Sequence, residues 1–100
     1  MFLHTVLFYP KPGLTAEGRA ALLAGVRSLT TIASVRWSFV GVPAETRRPV
    51  IDHTYAIKLV VGFDDLAGHD VYQAVDVHLR FVKECQQYWE RVQIYDAQSV

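Results

Sequence analysis

In FLHTVLFY (2–9) and HTYAIKLVVGF (53–63), strand alternation leaves neither face polar. Successive side chains of a strand point to opposite faces. Phe2, His4, Val6 and Phe8 therefore share one side of the first segment, and Leu3, Thr5, Leu7 and Tyr9 the other. In the later segment Tyr55, Ile57, Leu59 and Val61 oppose Thr54, Ala56, Lys58 and Val60, with Lys58 the plainly polar member. An antiparallel sheet with one wet face reads apolar and polar by turns. A sheet made from these strands instead needs cover on both faces. Helices can supply one cover, and a second copy of the chain is the economical source of the other.

Turn and cap residues locate the remaining elements. The first strand stops at Pro10, and Lys11-Pro12-Gly13 completes a turn. Thr15 is placed to cap a helix running to about Leu29, with Ala20, Leu22, Leu23, Val26 and Leu29 as its apolar face. VRWSFVGV (35–42) reads as a second strand and HTYAIKLVVGF (53–63) as the third, with Asp52 and His53 at its start. Asp64 or Asp65 caps a helix to about Gln73, Asp76 caps another over Val77 to about Glu90, and RVQIYDA (91–97) closes as a fourth strand. The order is βαββαβ with its second helical region broken in two. This predicts an α+β, ferredoxin-like protomer with a four-stranded antiparallel sheet, in one domain over residues 1–100.

Composition excludes several functions. Ten basic residues balance ten acidic ones, and the longest basic run is Arg47–Arg48, so the concentrated positive surface that nucleic-acid binding needs is missing. No apolar run is long enough for a membrane span, and MFLHTVLFYP lacks the basic start and cleavage site of a signal peptide. A soluble, cytoplasmic protein is expected. The single cysteine, Cys85, has no disulfide partner within the chain and reads as a packed thiol, with Phe81 and Trp89 one helical turn to either side. No H-x3-H, C-x2-C or acidic calcium-loop spacing occurs, so neither a metal site nor a cofactor is expected.

The chemistry concentrates in VYQAVDVHLRF (71–81). With Asp76 as a cap, His78 lies in the first turn of the last helix, where the positive helix end and burial both disfavour imidazolium. A neutral histidine can act as a general base near neutral pH and remove an acidic proton between two carbonyls. Tyr72 can then hydrogen-bond the enolate oxygen. The bland alternative is that the two residues satisfy each other in an ordinary core. His4, on the side of Phe2, Val6 and Phe8, reads first as a satisfied core histidine, and His69, between Gly68 and Asp70, as a solvated one.

HTVLF in the first strand, the KPG turn, FDDL at a helix start, the Y-x5-H-x2-F spacing of VYQAVDVHLRF and the following YWE resemble, in this order, the stress-responsive dimeric α/β-barrel (Dabb) family over about residues 2–97. The resemblance implies a homodimer in which two ferredoxin-like sheets pack into a dimeric α/β barrel. Plant members include polyketide cyclases, whose catalytic positions fall on Tyr72, His78 and His4. Their apolar lining positions fall on Phe8, Leu22, Leu23, Val26, Leu59, Trp89 and Ile94, so a small apolar or aromatic ligand between sheet and helices is implied. Where many members read HPAH this chain reads VDVH, and a third-strand histidine of the cyclases falls on Ile57. Three functions follow: a ligand-binding homodimer that extends to a cyclase or lyase on a β-keto substrate, a non-catalytic stress or assembly protein, and a small cofactor-free monooxygenase.

Overall fold

Pro10 withdraws a backbone donor at the end of the first strand, β1 (Phe2–Pro10), and Gly13 turns the chain at φ +78°, a conformation that suits glycine. The computed structural model describes all 100 residues. Helix α1 (Ala16–Leu29) starts at Thr15, whose hydroxyl accepts from the Gly18 amide at 3.0 Å. Strands β2 (Trp37–Gly41) and β3 (Ile57–Phe63) follow, then α2 (Leu66–Ala74), α3 (Asp76–Cys85), a 3-10 turn (Gln86–Tyr88) and β4 (Trp89–Gln98). The sheet is antiparallel throughout in the order β2-β3-β1-β4, the ferredoxin-like arrangement expected.

Several boundaries differ from the sequence reading. The third strand begins at Ile57 rather than at residue 53. Asp52 does not initiate it: its carboxylate accepts from the Thr54 amide, the Thr54 hydroxyl and the Tyr9 hydroxyl, at 2.8, 2.6 and 2.6 Å, and holds the preceding segment in a local turn. Of the two candidate caps, Asp65 is the one that caps α2, accepting from the Gly68 amide at 3.2 Å, while Asp64 pairs with Arg36. The cap of α3 is Val75, without a side-chain bond, and Asp76 is the first helical residue. That helix ends at Cys85 instead of near Glu90, so Trp89 belongs to β4 and is not on a helical face with Cys85. Its indole lies 5.2 Å from the Phe8 ring and 5.6 Å from the Phe81 ring, which anchors the start of the strand.

The core sits between the sheet and the helices. Leu22, Val26 and Leu29 of α1 cover Leu59, Val61 and Phe63 of β3, all essentially excluded from water. Each such side chain contributes about 1.5–3 kcal/mol relative to exposure. Gly25 lets α1 and α3 approach closely, since a Cβ there would overlap the Cys85 sulfur, and Cys85 is free and buried as expected. The opposite sheet face carries Leu3, Thr5 and Leu7 beside Trp37 (51% exposed), Phe39 (50%) and Tyr95 (60%). Tyr9 alone of its β1 side is buried there, under the Asp52 turn and with the Arg91 guanidinium 3.7 Å above its ring. No helix is long and apolar enough to cross a membrane.

Candidate functional site

The helix layer covers the sheet incompletely at its β4 edge. There a cavity of about 110 Å³ opens between β1, β4 and the helices, lined by His4, Phe8, Leu59, Tyr72, His78, Trp89 and Ile94 among mostly apolar residues. Val92 and Ile94 remain partly exposed at this edge. These seven positions include all three polar site residues drawn from the sequence. Leu22, Leu23 and Val26 do not line the cavity: Leu22 and Val26 are fully buried in the solid core, Leu23 packs at its margin, and α1 reaches the cavity through Leu29. Phe81, Val82, Gln73 and Val92 are lining residues that sequence reasoning did not single out as such. A larger groove of about 480 Å³ between α1 and α3 is open and contains neither His4, Tyr72 nor His78.

Tyr72 projects from the last turn of α2 and His78 from the first turn of α3, on either side of the break at Val75. Val75 is extended (φ −77°, ψ 156°), and this sharp change of direction aims both rings at one space. The rings meet edge to face with centroids 5.0 Å apart, so their contact is aromatic rather than a mutual hydrogen bond. Burial lifts the Tyr72 hydroxyl well above the ordinary tyrosine range. Burial also pushes His78 below its usual 6.5, with the neighbouring His4 and His69 acting in the same direction.

His4 is paired rather than orphaned. It faces Asp96 directly across the β1–β4 ladder, and His4 Nδ1 lies 2.6 Å from Asp96 Oδ1. Burial nevertheless outweighs that carboxylate and lowers the His4 pKa. His69 corrects the sequence expectation of a solvated side chain: it is 8% exposed, its ring 4.8 Å from Phe2 and 4.7 Å from His4. The physical reason is its position three residues before Tyr72 on the inward face of α2. The signal for Asp96 was its place two residues after Ile94, a polar residue on the apolar side of the last strand.

A four-stranded antiparallel sheet, helices on one face and an apolar cavity edged by histidine and tyrosine define a ferredoxin-like α+β domain. The chain belongs to the Dabb family, described as the stress responsive A/B barrel domain, whose pattern matches residues 2–99. No curated protein matches the chain at a significant level. Among solved structures, the At3g17210 protein of Arabidopsis thaliana is similar at a TM-score of 0.82 and 18% identity, covering 100% of this chain and 96% of that one. A dimeric ferredoxin-like protein of unknown function from Thermobifida fusca gives 0.78 and 14%, with 98% and 90% covered. The hydroxynitrile lyase of Passiflora edulis gives 0.77 and 18%, with 96% and 90% covered. At these identities the likeness establishes the fold.

Proposed function

We propose that the protein is a homodimer that binds a small, mostly apolar carbonyl compound in the cavity and acts on it by acid–base chemistry of the cyclase or lyase kind. The observation that carries this reading is the pairing of Tyr72 and His78 at one apolar cavity, with a ring contact between them instead of a hydrogen bond. A base that burial keeps neutral is available near pH 7 to take a proton from the carbon beside the carbonyl. The Tyr72 hydroxyl, which burial keeps protonated, then donates to the oxygen on which negative charge develops. His4, held by Asp96, completes the polar side and orients the bound group.

The cavity also limits the substrate. Its volume of about 110 Å³ is below the ~150 Å³ that accepts a benzene ring. It therefore suits the carbonyl-bearing head of a molecule, with any longer tail leaving along Val92 and Ile94. Homodimerisation through the open sheet face is supported by its exposed aromatic side chains, by the half-buried Leu3 and Leu7 beside them, and by the dimeric relative of the same fold. The deciding experiment follows acetylacetone and related small 1,3-dicarbonyls by calorimetry and by NMR of deuterium exchange at the carbon between the carbonyls. Saturable binding with protein-accelerated exchange that disappears in His78→Gln is expected. Absence of binding across the series, or exchange in folded His78→Gln at the wild-type rate, rejects the assignment.

A further inference from the structure

We propose that His4, His69 and Asp96 form a binding site for a first-row divalent transition-metal ion of the zinc type. One ligand-type atom from each residue lies within 4.8 Å of the others. The three come from β1, α2 and β4, so no spacing in the sequence announces them. His4 and Asp96 are cross-strand partners, and the His69 ring comes down on His4 from the helix layer.

The side chain of His69 points to a ligand independently of this clustering. It is 10% exposed, and its Nε2 is buried with no hydrogen-bond partner. Buried polar atoms are rarely left unpaired. Its other nitrogen, Nδ1, faces Asp70 Oδ1 at 3.4 Å. A metal-binding histidine commonly presents one nitrogen to a carboxylate in this way, which fixes the ring and leaves the second nitrogen for the ion. Asp70 thus orients the ring, and Nε2 is the atom in need of a partner.

Two imidazoles and a carboxylate match the donors preferred by Zn²⁺ and its neighbours in the series. Around a tetrahedral ion, adjacent ligand atoms stand roughly 3.3 Å apart. His4 Nδ1 and Asp96 Oδ1, at 2.6 Å, would open slightly and His69 would close in, movements within the reach of side-chain rotation. Asp96 is 41% exposed, which gives the ion a route from solvent. Three protein ligands leave a fourth position for water or a ligand atom. The site shares His4 with the cavity, whereas His69 and Asp96 lie outside its lining, and metal binding is read by titration separately from Tyr72–His78 turnover.

The test uses untagged, chelator-treated protein titrated with Co²⁺ by visible spectroscopy and with Zn²⁺ against a chromophoric chelator. One ion per chain, a tetrahedral Co²⁺ band displaced by Zn²⁺, and at least tenfold weaker binding in Asp96→Asn and in His69→Gln are expected. The exposed His53 serves as a control, and His53→Ala should bind as wild type. Should His69→Gln fail to fold, imidazole ¹⁵N NMR of the wild type decides instead, through a shift of His69 Nε2 on adding Zn²⁺. No Co²⁺ band at millimolar ion, undiminished affinity in folded Asp96→Asn, or an unmoved His69 Nε2 signal each overturns the site.

Discussion

The two faces of the sheet are nearly alike in sequence and unlike in structure. On the helix side, Leu59, Val61 and Phe63 are removed from water by α1 and its neighbours. On the other side, Trp37, Phe39 and Tyr95 keep half or more of their surface although they are as apolar. Hydrophobicity by itself therefore does not say which face becomes the protomer's core. Connectivity says it, because all three helices lie on one side. The same comparison explains the cavity: the helix layer covers β3 closely but leaves the β4 edge partly open, so polar groups on the inward side of β1, α2 and α3 meet in a space rather than in solid packing.

A charge placed on each face gives the largest separation. Leu59→Asp buries an unpaired carboxylate and should abolish cooperative folding, read by circular dichroism and thermal melts. Leu7→Asp is expected to leave the protomer folded while converting a dimer to a species of one chain mass in sedimentation. A Leu7→Asp protein that still sediments at twice the chain mass breaks the assignment of the open face as the dimer surface.

Substitutions in the cavity sharpen the contrast between hollow and solid packing. Tyr72→Phe removes the proposed donor and should lower turnover on the order of a hundredfold. It should not lower the melting temperature, because the Tyr72 contact with His78 is aromatic and survives the change. A truncation in the solid region, Leu22→Ala, should cost about 2–5 kcal/mol in chemical denaturation. Similar stability losses at the two positions would mean that the cavity is packed core.

Acid titration should act first on the helix side. His4 and His78 resist protonation in the folded state, with pKa values below the ordinary 6.5, so below that pH the unfolded chain binds more protons. Stability should fall as pH drops from about 6.5 through the lowered values, and His78→Gln should flatten part of that slope. The smallest effect belongs to the open face. Hydrogen bonds from Thr54 and Tyr9 hold Asp52 at about 2, down from 3.8. Its contribution is therefore present above the ordinary value and lost only as pH falls from about 4 towards 2. Tyr9→Phe should reduce this second loss, seen as a shallower decline of the melting temperature in that interval.

The sequence by itself determined the order of elements, because Pro10, Thr15, Asp65 and the period-two runs act through near neighbours. It also brought Tyr72 and His78 together, since they flank one helix break. Local pattern could not determine where the long helical stretch gives way to β4, because pairing with β1 and the packing of Trp89 against Phe8 and Phe81 set that point. Nor could it separate lining from filler: Leu22 and Leu59 are equally apolar, yet one fills the core and the other borders a space. His69 and Asp96 stayed hidden for the same reason. They are twenty-seven residues apart in the chain, and only the β1–β4 register and the docking of α2 bring them to His4.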